Sequence, residues 1–230
     1  MNNIVAIFKK QLKDTLKNKT VLVQFVLFPI MTLIMNNAIK MQDMPENFFV
    51  NLFATMYIGM APLTSIASII SEEKEKNTLR VLIMSNVKPY EYLLGIGSYV
   101  WFACMLGGIV ICAAGGYNLR TSIVFMGIMA VGILTSLLIG AIIGIWSKTQ
   151  MMATSIAVPV MMIFAFIPML SLFNSTVEKI AKVIYSEQIS RMLSQINGLQ
   201  FNAVNIGVIV MNVLIAAVIF IVIFRKCKLA

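Results

Sequence analysis

Six stretches of the chain run for twenty or more residues without a charged side chain: Thr20 to Ile39, Val50 to Ile70, Tyr92 to Ala114, Thr121 to Trp146, Met151 to Phe173 and Phe201 to Phe224. Roughly 20 residues of α-helix, at about 1.5 Å each, cross a bilayer core of about 30 Å. Each stretch is therefore long enough to span a membrane. Polarity does not alternate within them; MGIMAVGILTSLLIGAIIGIW, Met126 to Trp146, has no polar face that could line a barrel lumen. A helix satisfies its own backbone hydrogen bonds in lipid, so the pattern predicts an all-α polytopic membrane protein with six transmembrane helices.

The segments outside the spans carry other periods. In residues 1–19, Ile4, Phe8, Leu12 and Leu16 recur at spacing four, with Lys9, Lys10, Lys13 and Lys17 on the other side. That spacing predicts an N-terminal amphipathic helix at the membrane interface, which fits both an anchor for the first span and a contact surface for a partner. Residues 20–230 then form one six-span domain. Within it, segment 174–200 shows Val177, Ile180, Ala181 and Ile184, and, after a break at Tyr185 and Ser186, Ile189, Met192, Leu193 and Ile196. Two short amphipathic helices are expected there, lying on the membrane surface or dipping into it to cap the bundle.

Charge orients the whole. The chain is 60% hydrophobic and 12% charged, with a mean hydropathy of +0.91, far from soluble globular composition. Thirteen Lys and Arg fall on one side of the spans: Lys9, Lys10, Lys13, Lys17, Lys19, Lys74, Lys76, Arg80, Lys88, Lys148, Arg225, Lys226 and Lys228. Five fall on the other: Lys40, Arg120, Lys179, Lys182 and Arg191. The bias predicts that both termini are cytoplasmic and that segment 174–200 is extracytoplasmic. It also accounts for the net charge of +9 without a nucleic-acid partner, since the basic residues flank spans and no aromatic-interleaved basic patch occurs. The basic amphipathic start does not read as a cleavable signal peptide. Cys104, Cys112 and Cys227 have no metal-ligand spacing and are expected as free thiols. Fourteen Lys against four Arg point to a bacterial source, and hence to its cytoplasmic membrane.

Several chemistries are missing. The chain has no His, and no Asp or Glu lies inside a span, so there is no titratable group for a proton relay and no base for a Ser or Cys nucleophile. No Gly-Lys-Ser/Thr sequence occurs, so the chain has no P-loop. It is not expected to be an enzyme or to hold a metal or cofactor. Energy for uphill movement would come from a partner.

One stretch does not belong to a span, a surface helix or an ordinary loop. SEEKEKNTLRVLIMSN, Ser71 to Asn86, packs six charges into its first ten residues and then turns apolar. Thr78 is the expected N-cap of a short helix through Ser85. Leu79, Leu82 and Ile83 share one side of it, and Val81 and Met84 another. A helix apolar nearly all round must be covered on several sides, by the end of the bundle on one and by a partner on the other. Pro89 then opens the third span. Elsewhere Pro29, Pro62, Pro159 and Pro168 fall within spans and are expected to bend them. Ser136, Gly140 and Gly144 form a small-residue groove suited to close helix packing within the chain or to a dimer seam.

Glu73 to Gly95, EKEKNTLRVLIMSNVKPYEYLLG, resembles the cytoplasmic motif of the permeases of type 2 ABC transporters. That motif has an acidic and basic cluster, Gly-Thr-Leu, an apolar stretch, Ser-Pro, and an acidic residue before Leu-Leu-Gly. Asn77 stands where Gly is usual, Asn86 where Pro is usual and Ile96 where Lys is frequent. The layout of the whole chain agrees. The resemblance implies a membrane permease paired with a second copy or paralogue and with cytoplasmic ATP-binding cassette subunits, which would bind the ATP and Mg. Segment 71–91 would be the coupling loop. Thr78, Leu79, Arg80, Val81, Leu82, Ile83, Met84 and Ser85 would form the coupling helix that docks in the ATPase, and Glu72, Glu73 and Glu75 would make polar contacts around it.

With no charge inside the spans, a hydrophobic or amphipathic cargo such as a peptide, lipid or drug is expected, exported across the membrane. Met151, Met152, Met161 and Met162 could line its path. The alternative is a non-transporting sensor or immunity protein with the same six spans.

Overall fold

The computed structural model describes residues 3–17, 19–39, 45–198 and 202–226, with Lys19 and Thr20 in backbone only. Lys40, Phe201, Cys227 and Lys228 lie outside the described residues. The chain folds as α1 (Asn3–Lys17), α2 (Lys19–Ala38), α3 (Phe48–Glu75), α4 (Thr78–Met84), α5 (Pro89–Ala114), α6 (Leu119–Trp146), α7 (Gln150–Ser171), α8 (Ser175–Ala181), α9 (Tyr185–Ser194) and α10 (Ala203–Lys226). Six of these, α2, α3, α5, α6, α7 and α10, are long and apolar enough to cross a membrane. No strand occurs among the described residues. Five of the six span ends fall within about three residues of the apolar windows; α3 runs five residues past its window, through Ser71 to Glu75.

That overrun follows from the position of α3 in the bundle. Its apolar window is 78% buried, against 22% for α2 and α7 and 11% for α10, so α3 is the central stave, on which α2, α5, α6 and α7 pack. Helix α6 packs closest. A Cβ added to Gly140 would lie 2.3 Å from the Leu63 carbonyl oxygen, and one on Gly144 would lie 2.9 Å from the Ile70 Cβ. The small-residue groove is thus an internal seam, where the absence of side chains lets two backbones meet.

The same seam repairs a backbone defect. Pro62 lies inside α3 and has no N–H to give the carbonyl of Ile58, four residues earlier. Ser136 Oγ on α6 donates to that oxygen at 2.6 Å. Having given away its one proton, Ser136 accepts from the hydroxyl of Tyr185, 2.7 Å away on α9. Burial pushes the Tyr185 phenol up, and its bond to Ser136 works the other way without cancelling the shift. Tyr185 therefore stays a neutral donor across the physiological range.

Tyr185 also explains why α9 enters the bundle. The break in segment 174–200 falls at 182–184, and α9 begins at Tyr185 instead of after Ser186. Tyr185, Ser186, Gln188 and Ile189 are buried, with Phe164 of α7 against the Tyr185 ring. Glu187, also buried, accepts from Arg191 at 2.7 Å and from Ser171 at 2.8 Å. Arg191 reaches Glu178 of α8 as well, at 3.1 Å. Helix α9 is thus packed into the bundle, whereas α8 is buried only at Ala181.

The N-terminal helix differs from its predicted face. Ile7, Gln11 and Thr15 are its buried residues, while Leu12 and Leu16 are exposed. The inward face is rotated because α5 receives Ile7 where Gly95 leaves room, a Cβ there lying 2.8 Å from the Ile7 Cβ. Gln11 meanwhile finds a buried acceptor in Glu73.

Ser136→Ala removes the donor to a buried carbonyl and is expected to lower unfolding stability in detergent by about 1–3 kcal/mol. In a Pro62→Ala background residue 62 regains its N–H, and the same Ser136→Ala change is expected to cost less than about 1 kcal/mol. Equal losses in both backgrounds, read from thermal or denaturant unfolding, would refute the repair.

Candidate functional site

The charged stretch identified in the sequence is split by a tight turn. Helix α3 continues through Glu75 and stops as Lys76 N–H donates to the Glu72 carbonyl and Asn77 N–H to that of Lys74. Asn77 has φ 56°, in the left-handed region, which ends helices and suits Gly or Asn. This is the position where the type 2 motif usually carries Gly, and Asn77 does the same work. The residue before α4 is therefore Asn77, not Thr78. Thr78 opens the helix, and its hydroxyl is drawn back to the Glu73 carbonyl, 3.1 Å away. At the other end of α4, Asn86 has φ 68°, which a proline cannot adopt. The turn into α5 is thus made by a left-handed asparagine where the motif usually has proline.

Helix α4 has two faces. Leu79 is 3% exposed, and Leu82, Ile83 and Val87 pack partly against the same core. Arg80, Val81, Met84 and Ser85 are exposed, Val81 at 61% and Met84 at 80%. One side of the helix is thus bound to the bundle, and the other presents two apolar side chains and a cation that the described residues leave exposed.

Three successive residues at the end of α3 tie it to three other helices. Glu73, buried, accepts from Gln11 at 2.7 Å and Lys10 at 2.6 Å on α1. Its second oxygen has no hydrogen-bond partner among the described residues. Lys74 Nζ donates to the carbonyls of Ile145 and, at 2.6 Å, Ser147, where a cation suits the negative end of α6. Glu75 accepts the backbone N–H of Gln150 at 2.7 Å, where an anion suits the positive end of α7. Glu72 makes a local pair with Lys76, whose ammonium is held above the ordinary lysine value by that hydrogen bond. The three acidic residues expected to surround α4 are therefore all engaged within the chain, Glu73 and Glu75 by other helices and Glu72 by Lys76 one turn on.

The methionines are scattered. Met161 lines a groove of about 220 Å³ between α2, α3 and α7, with Gln24, Phe28, Thr64 and Thr154. Met162 is 51% exposed and Met151 81%. Met152 is half-buried near the start of α7. The residues expected to form a coupling helix fall together on α4, whereas these four methionines do not share one site.

Sequence reasoning missed Gln11, Lys74 and Gly95 as parts of this site. Gln11 and Lys74 looked like surface polar residues, because their partners are a buried acid and two helix-end carbonyls from distant segments. Gly95 stood in the motif without a reason, which the close approach of Ile7 supplies. No cluster of metal-ligating side chains occurs among the described residues. What the arrangement can do is mechanical: a displacement of α4 pulls on α3, and the end of α3 pulls on α1, α6 and α7.

Compared with known proteins, residues 1–225 match a family model described as ABC-2 family transporter protein. The comparison with curated proteins finds no match.

Glu73→Ala is expected to raise hydrogen exchange of the α1 amides about tenfold or more, the loss of about 1.5–3 kcal/mol associated with hydrogen bonds to a charged group, while the end of α6 stays protected. Lys74→Met is expected to do the reverse, loosening the last turn of α6 and sparing α1. Exchange rising uniformly along the chain in both variants would contradict separate ties.

Proposed function

The chain belongs to the ABC-2 family of transporter proteins, as a multi-pass membrane permease, and we propose that α4 is its coupling helix, docked in a cytoplasmic ATP-binding cassette subunit. The observation that carries this reading is the exposed pair Val81 and Met84 on a short helix whose other face is locked to α3. An apolar side chain pointing away from the bundle, beside the charged end of the spans, gains most when a partner's groove takes it out of water. Arg80 and Glu72 flank it for polar contacts. In this reading both termini and α4 are cytoplasmic, consistent with the lysine and arginine bias.

The partner binds ATP and Mg; this chain supplies the lever. When the ATP-binding subunits close, they shift α4. The two-residue turn at Lys76 and Asn77, the buried Leu79 and the bond from Thr78 to the Glu73 carbonyl keep α4 from moving without α3. The ties of Glu73, Lys74 and Glu75 pass the movement to α1, α6 and α7, a rigid-body rearrangement driven from one end.

A second permease, identical or paralogous, would pack on the α2 and α7 face. These helices are little buried, and Gln24, five residues after the start of α2, and Thr154, four after the start of α7, line the groove between them with Thr64, polar side chains that a second protein would shield from lipid. The cargo path would run along that face, with Met161 in its wall, and export a hydrophobic or amphipathic molecule.

Val81→Asp and Met84→Asp leave the packed face of α4 untouched. Each is expected to weaken copurification of the ATP-binding subunit at least about tenfold, as for a buried interface anchor, with membrane insertion and thermal stability unchanged. Leu82→Asp is expected to lower stability as well, because Leu82 packs against the core. If both outward variants retain the ATP-binding subunit, α4 is not its docking site.

A further inference from the structure

On the flank away from α2 and α7, helices α5 and α10 both pack on α6 but leave a cleft between them. This groove of about 740 Å³ is walled by Leu94, Trp101, Val131, Leu134, Phe220 and Phe224, and no carboxylate lines it among the described residues. Its two mid-wall polar groups are already satisfied. Ser98 Oγ donates to the Gly95 carbonyl at 3.0 Å, and Trp101 Nε1 to the Ala130 carbonyl at 3.3 Å. The wall therefore offers an occupant only apolar contact.

The groove extends along α5 from Tyr90 to Trp101, roughly 16 Å of helix, about half the thickness of a bilayer core of about 30 Å. That length matches extended hydrocarbon from a single leaflet.

Its mouth is cationic. Lys88 immediately precedes α5 and lies over the Tyr90 ring, 5.8 Å from its centroid. Arg225 and Lys226 close the last turn of α10, next to the groove residue Phe224. The nearest acid, Glu91, is turned toward α1, where it accepts from Asn3 and from the Lys88 backbone N–H. These three cations sit at span ends, the level of lipid headgroups.

We propose that this groove is a binding site for an anionic phospholipid, its acyl chain lying along Trp101 and its phosphate held between Lys88, Arg225 and Lys226. The chain has two tryptophans, so Trp146→Phe leaves Trp101 as the sole fluorescent reporter, about 20 Å along α5 from Lys88. The test uses the purified full chain with this change in phosphatidylcholine bilayers, into which mid-chain dibrominated phosphatidylglycerol or dibrominated phosphatidylcholine is titrated. The brominated phosphatidylglycerol is expected to quench Trp101 at a mole fraction roughly tenfold lower, given the attraction of clustered Lys and Arg for anionic lipid. Replacing the cations together, Lys88→Ser, Arg225→Ser and Lys226→Ser, is expected to return its curve to that of phosphatidylcholine. Equal quenching by both lipids in the unaltered rim would mean ordinary boundary lipid and overturn the proposal. Quenching by neither would mean that protein, such as a second copy of the chain, fills the groove, and would overturn it as well.

Discussion

The bundle depends on the contact between α3 and α6. In lipid, apolar side chains gain little from packing on one another, because the hydrocarbon around them is just as apolar, so helices associate through close packing and hydrogen bonds. Gly140 and Gly144 allow the two backbones to touch, and Ser136 supplies the proton that Pro62 withholds from the Ile58 carbonyl. Tyr185 completes the chain of donors and draws α9 into the other end of the bundle. A single small-residue stripe thus sets the central stave, relieves the proline and anchors a helix from the last connection.

With α3 held along its length, its protruding end becomes a rigid handle. Glu73, Lys74 and Glu75 each bind a different helix, with charges matched to the ends of α6 and α7. Helix α4 hangs from that handle with one face packed and one free. In the proposed function this joins a membrane bundle to a motor outside it through an element that carries no chemistry, only attachment.

The sequence made some parts of this site legible and hid others. The two faces of α4, Leu79 with Leu82 and Ile83 against Val81 with Met84, followed from helical spacing, since a short helix keeps its period wherever it sits. The cap did not. Thr78 has the chemistry of an N-cap, yet the chain needed a left-handed residue to leave α3, and Asn77 took that place. The acidic cluster likewise read as a surface run, because nothing local signals that Glu73 meets Gln11 more than sixty residues away. On α1, Leu12 and Leu16 belonged to the apolar stripe, but Ile7 is the residue that α5 has room for.

What the sequence determined by itself were the six spans, the short helix after the second and the lack of His, Asp and Glu within the apolar windows. Each of these rests on properties that accumulate along a contiguous stretch: apolar length, helical period, the presence or lack of a residue type. Tertiary structure alone decided which face of each helix turns inward, that the Ser136 stripe seals α3 to α6, and that a run of charges fastens helices together. Those outcomes depend on which donors and acceptors from distant segments arrive at the same point, and in a low-dielectric interior each buried polar group settles against the partner the fold brings to it.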